Sequence, residues 1–274
     1  MKIYDRIKSH DMETLVTTSI ESGVGRITLN RPAKRNALTR DFIQQLCSAV
    51  KNLSADESIR VLVFQSEGSV FCAGMDLGEM QMRAKSDQGK QEWQKDSEVY
   101  AELLMSIFEL TVPTIAVIQG PALAGGVGLI LACDFVVASN RAFIMLPEPA
   151  RGITAAMVTP LLIHRIGAGA ATQLLLGGER MTVERAFSLG LAHSISEPDD
   201  LPAKLDLLIH SILTGSKSAL AITKRHLNWC CGSSIREQIA ASIGVSAEAR
   251  ETDDAREGLA AFLEKRKPNW QAED

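Results

Sequence analysis

Three stretches hold the residues that can do chemistry. The first is GPALAGGVGL, Gly120–Leu129, with four glycines in its first nine residues. The second is FCAGMDL, Phe71–Leu77, which turns at Gly74. The third is Glu148, which follows Pro147 and the apolar run Ala142–Leu146. A glycine turn that opens a helix leaves backbone N–H groups free and lets a ligand approach them closely. Such donors can hold a carbonyl oxygen that becomes an anion during reaction. Two donors are usual, and there are two turns. Packing alone can also require tight turns between strands and helices, so spacing leaves both readings open. A carboxylate beside an apolar wall has its charged form disfavoured and trades protons near neutrality. A solvated glutamate in a turn is the alternative for Glu148.

Other chemistries find little support. The GxxxxG spacing at Gly120–Gly125 is followed by Gly126 and Val127, not by the Lys and Ser/Thr of a phosphate loop, and GxGxxG is absent. There is no CxxC pair and no HExxH, so no metal site is expected. Cys72 has no histidine at recognisable spacing and reads as a small buried residue. His164, His193, His210 and His226 read as packing or surface residues. The net charge of −4 and the lack of a long basic block argue against nucleic acid as partner. No apolar run approaches the length of a membrane span, and MKIYDRIKSHDMETL has no signal-peptide core, so no membrane partner is expected. Five cysteines, an odd number, fit a reduced cytoplasmic setting.

The elements that position these residues alternate. Val24–Leu29 reads as a strand. Thr39 is placed as an N-cap, with Leu38 and Ile43 as a staple across it, and Arg40–Leu53 follows as an amphipathic helix. Arg60–Gln65, Thr114–Gln119 and Phe135–Ala138 are buried-type strands. Apolar strands joined by helices imply a parallel sheet with right-handed crossovers. From about Val158 most segments read as helices. The polar run Arg83–Asp96 is expected to be mobile. Met75, Met80 and Met82 read as core-facing more readily than as a flexible pocket lining, and Asp254 with Glu257 suits a capping box.

Taken together, the chain resembles the enoyl-CoA hydratase/isomerase, or crotonase, superfamily. The resemblance rests on LNRPAKRNAL (Leu29–Leu38), FCAGMDL, GPALAGGVGLILACDFVVAS (Gly120–Ser139), PEPARGI (Pro147–Ile153) and the closing GLAAFLEKRKPNW (Gly258–Trp270). It implies an α/β fold, a spiral of β-β-α units, with a helical C-terminal region. Residues 1–200 would bind and transform an acyl-CoA thioester, and residues 201–274 would build a homotrimer or homohexamer. CoA would be part of the substrate, with no separate cofactor. The N–H groups of Met75 and Gly125 would hold the thioester oxygen. Lys34, Arg35, Ala73, Asp76 and Leu77 match segments that line CoA, Gly126 stands beside the proposed hole, and Phe262 and Lys265 match a region that reaches CoA from a neighbouring subunit.

Hydratases of the family typically have two glutamates. Here the first position is Gly128 and the second is Glu148. One carboxylate suffices to move a proton from C2 to C4 of a 3-enoyl thioester. It also serves hydration of a 2-enoyl thioester if one water supplies both added groups. The resemblance leaves both open, together with decarboxylation, thioester hydrolysis and a non-catalytic acyl-CoA-binding role.

Overall fold

The computed structural model describes residues 13–271 apart from 85, 87 and 233, with the side chains of 231 and 232 also outside the described set. Most of the N-terminal stretch read for a signal sequence lies outside the described residues, as do Lys85 and Asp87 of the run expected to be mobile.

Six strands form the main sheet, in the order β1 (Val16–Glu21), β2 (Val24–Leu29), β3 (Val61–Ser66), β4 (Thr114–Ile118), β6 (Phe135–Ser139) and β9 (Ser194–Ser196). The β1–β2 hairpin is antiparallel and turns through Ser22 and Gly23, both at positive φ. Every other pairing in this sheet is parallel, as the apolar runs imply. Side chains alternate between the faces. Leu62, Phe64, Ala116, Ile118 and Val136 point into the larger core, while Val61, Val63, Ile115, Val117 and Val137 point the other way. The larger core is closed by α1 (Arg40–Ser54), α3 (Gly89–Phe108) and α4 (Gly125–Ala132). The other face is covered by α7 (Leu201–Thr214), through Leu201, Leu205, Ile209 and Ile212. A small second sheet joins β5 (Ala122–Leu123), β7 (Phe143–Met145) and β8 (Met181–Thr182).

The cap at Thr39 forms as expected. Its hydroxyl accepts from the Phe42 N–H at 3.2 Å, and Leu38 and Ile43 are both fully buried. The run expected to be mobile is instead helical over most of its described length. It spans the end of α2 (Leu77–Ala84) and the start of α3. Its polar residues find partners far away in sequence. Asp96 is buried and receives Arg40 at 2.6 Å and Arg83, while Arg40 also reaches Glu92 and Arg83 reaches Glu79, both at 2.6 Å.

The C-terminal half is helical, with α5 (Val158–Gly177), α6 (Val183–Ser188), α7, α8 (Lys217–Gly232), α9 (Ile235–Glu251) and α10 (Asp253–Glu264). Helix α5 is kinked at Gly167, whose backbone leaves the helical region. The cap of α10 is Thr252, which accepts from the Ala255 N–H at 3.1 Å. Glu257, expected in a capping box with Asp254, pairs with Arg266 instead.

Candidate active site

The two glycine turns meet. Strands β3 and β4 are neighbours in the sheet, and the chain leaving each runs into one of the turns. The pairing continues past the strand ends as a parallel bridge between Cys72 and Ala122. A second bridge joins Leu38 to Met75, with Leu38 N–H donating to Gly74 and Asp76 N–H donating to Leu38. Gly74 has φ +86°, and a Cβ there would stand 2.5 Å from Ala124 Cβ and 3.0 Å from the Gly125 nitrogen. Only glycine permits that approach. On the other side, Ala124 takes φ 51° and ψ −127° as it caps α4. This conformation suits glycine, and a non-glycine residue held there stores strain. Among the described residues, neither Met75 N–H nor Gly125 N–H donates a hydrogen bond. Two free donors therefore stand on adjoining turns, one of them at the N-terminus of a helix.

Met75, Leu77, Gly125 and Glu148 line one pocket. Glu148 is 5% exposed, and its Oε2 has no hydrogen-bond partner. Burial raises its pKa to about 7, opposed more weakly by a backbone hydrogen bond and by Arg151. The residue opens a short helical turn, Pro149–Arg151. Helix α10 packs on that turn. A Cβ at Gly152 would lie 2.8 Å from the Ala255 nitrogen, and Arg151 lies 4.6 Å over the Phe262 ring. The carboxylate is thus held at a fixed place, in a state that accepts or gives a proton near pH 7.

The remaining expected residues lie beside this pocket. Ala73 N–H donates to Arg35 carbonyl at 3.0 Å, and Lys34 and Arg35 are exposed on the same loop. Asp76 carries a structural load. It pairs with Arg31 at 2.7 Å and accepts from Gly78 and Glu79 N–H at the start of α2. Gly126 packs on Cys72, where a Cβ would come 2.5 Å from the carbonyl oxygen. Cys72 is fully buried, and burial pushes its thiol up to about 12. Of the methionines, Met75 and Met80 line the pocket, whereas Met82 is largely exposed.

Several pocket residues escape a reading of the sequence. Tyr100 on α3 is buried and donates to the Gly125 carbonyl. Its ring fills the space beside Gly128, where a Cβ would lie 3.2 Å from Tyr100 Cζ and overlap the hydroxyl. Ser246 and Arg250 reach the pocket from α9, within the region expected to serve association. Asn36, outside the pocket, is fully buried and fixes the Lys34–Leu38 loop: its side chain accepts from Arg31 N–H and donates to Glu67 and Val70. The one available hint was local: the glycine at 128 requires some other side chain to fill its space.

Among the described residues, no group of three or more His, Cys, Asp or Glu side chains is placed to hold a metal ion. No single described helix is long and apolar enough to cross a membrane. One bent pair, Pro198–Thr214 with Lys217–Cys230, has a suitable length and composition, but its first helix is the one packed on the sheet.

A family model described as Enoyl-CoA hydratase/isomerase matches residues 19–273. Enoyl-CoA hydratase domain-containing protein 2, mitochondrial, from Bos taurus is 33% identical over 265 residues, covering 92% of this chain and 85% of its own. The crystal structure of an enoyl-CoA hydratase from Mycobacterium avium is similar with a TM-score of 0.84 at 33% identity, covering 95% of this chain and 100% of that one. The structure of an enoyl-CoA hydratase from Bacillus halodurans gives a TM-score of 0.85 at 26% identity, over 90% and 99% of the two chains.

Proposed function

Because the chain belongs to the enoyl-CoA hydratase/isomerase family and has its crotonase-type α/β fold, we propose that it shifts the double bond of a 3-enoyl-CoA thioester, with Glu148 as the single acid–base group. One observation carries this reading. The pocket holds one buried carboxylate, and Tyr100 occupies the room that a second acid on α4 would need.

In this reading the thioester oxygen lies between Met75 N–H and Gly125 N–H. Glu148 takes a proton from C2. The electron pair moves toward the oxygen, and the two donors stabilise the enolate where its charge develops. The protonated Glu148 then delivers the same proton to C4. The double bond moves from C3–C4 to C2–C3, and nothing is gained or lost. A pKa of about 7 suits both halves of this exchange, because the group must be a base first and an acid second. The free Oε2 leaves an oxygen available for the transfer.

The CoA portion is assigned to the rim, with Lys34 and Arg35 near its phosphates and Ala73, Asp76, Leu77 and Gly126 along its course. Free thiols at Cys47, Cys72, Cys133 and Cys230 fit a reducing compartment, taken as the cytoplasm. Exposed Ile222, Leu227 and Trp229 on α8 support assembly into a homotrimer or homohexamer.

The test incubates purified protein with a 3-enoyl-CoA and the matching 2-enoyl-CoA, followed by chromatography and mass spectrometry. Conversion of the 3-enoyl thioester at constant mass is expected. Addition of water to the 2-enoyl thioester without isomerisation would replace the reading with hydration. Turnover that survives Glu148→Gln would remove Glu148 from the chemistry.

A further inference from the structure

The wall that α9 contributes to the pocket is polar, and nothing in the proposed proton transfer uses it. Arg250 is 8% exposed and lines the same pocket as Glu148. Its Nη1 donates to Ser97 Oγ at 3.2 Å and lies 3.4 Å from the Trp93 carbonyl. Ser97 in turn lies 3.2 Å from Ser246 Oγ, and Ser246 also lines the pocket. Among the described residues, Arg250 forms no ion pair within 4.0 Å. The nearby acid, Asp96, is already bridged by Arg40 and Arg83.

A guanidinium carries five N–H donors, and burying it without a carboxylate is costly. The cation that acts on Glu148 is Arg151, whose guanidinium is seated on Phe262. Arg250 belongs to a different wall. Met80, Ile153, Met157 and Val158 line the same pocket and supply apolar surface suited to methylene groups. The pocket therefore combines two backbone donors, apolar lining and, on α9, a buried cation that no carboxylate contacts directly.

Resting on the acyl-CoA reading above, we propose that the preferred acyl chain ends in a carboxylate, which pairs with Arg250 beside Ser246. A carboxylate matches the planar fork of a guanidinium and supplies the charge this buried side chain lacks. An unsubstituted alkyl chain would leave the guanidinium unpaired.

The experiment titrates the protein calorimetrically with adipyl-CoA and hexanoyl-CoA. These thioesters have equal chain length, are saturated, and differ in the terminal carboxylate. The wild-type protein should bind adipyl-CoA tighter by about tenfold or more. Arg250→Gln should abolish that preference, and Arg250→Lys should retain part of it, with folding of each variant checked by thermal melting. Equal affinities in the wild type, or tighter binding of hexanoyl-CoA, overturns the carboxylate assignment and leaves the acyl-CoA reading in place. A preference that persists in Arg250→Gln overturns the role of Arg250. If neither thioester binds to the wild-type protein, the acyl-CoA reading itself falls, and this assignment with it.

Discussion

The phenol of Tyr100 on α3 stands in the space that a side chain at Gly128 on α4 would occupy. The two residues exclude one another. A side chain at 128 meets the Tyr100 hydroxyl unless one of the two moves. Gly128→Glu alone is expected to destabilise the protein by about 1–3 kcal/mol, because the core is overfilled. In the pair Gly128→Glu with Tyr100→Ala, that cost should fall well below the sum of the single changes. A double-mutant cycle by urea unfolding measures the coupling, and strict additivity would show that the two side chains do not compete.

On the proposed mechanism Glu148 governs the pH dependence of turnover, and its burial contributes to the pH dependence of stability. Turnover that begins with proton removal should rise with pH through a midpoint near 7, read from kcat/KM. The sign for stability is opposite. The folded pKa of about 7 lies above the ordinary 4.5, so the native state binds more protons than the unfolded chain between these values. Stability from this group is fully present below 4.5 and is lost as pH rises through 7. Glu148→Gln should therefore raise the unfolding free energy at pH 8 by up to about 3 kcal/mol, with the gain shrinking toward pH 4. Thermal melts of the two proteins across pH decide it; parallel curves would contradict the assigned burial penalty.

The backbone at Ala124 suits glycine, whereas Gly126 faces the Cys72 carbonyl. Ala124→Gly relieves strain of about 1–3 kcal/mol, less about 0.5–1 kcal/mol for the freer unfolded chain, and should be mildly stabilising. Gly126→Ala should be destabilising, since the clash is with backbone. Chemical denaturation of both variants checks the pair, and a loss of stability in Ala124→Gly would count against stored strain.

Asp96 holds two arginines in a buried cluster. Asp96→Asn should cost about 1.5–3 kcal/mol, because both guanidinium groups lose the buried one of their two carboxylates and keep only the more exposed Glu92 and Glu79. Replacement of the more exposed Glu92 by Gln should cost under about 1 kcal/mol. Urea unfolding that ranks the two equally would show that the cluster does not depend on Asp96.

Much of this architecture is written locally. Thr39 with Leu38 and Ile43 marks a helix start from three adjacent signals, and the four apolar runs stand in the parallel sheet within about a residue of their expected limits. Gly74 and Gly125 show that a ligand-facing backbone is possible, since the residue type itself permits it. The misses have non-local causes. Asp96 looks solvated in sequence because its partner Arg40 is 56 positions away. Tyr100 and Arg250 sit in ordinary-looking helical segments, and only the packing of α3 against α4 and α9 turns them toward the pocket. Strands β5 and β8 are two residues each, too short for any alternation to register.

The Cys72–Ala122 bridge carries the spacing of β3 and β4 past the ends of those strands, almost to the two free N–H groups. Neighbouring strands lie about 4.8 Å apart as a property of backbone pairing. The gap between the donors is thus gauged by the sheet, with Gly74 and Gly126 admitting the close approach of the two turns. In the proposed mechanism, glycine at 128 bears on the proton transfer and leaves in place the backbone donors assigned to the thioester oxygen.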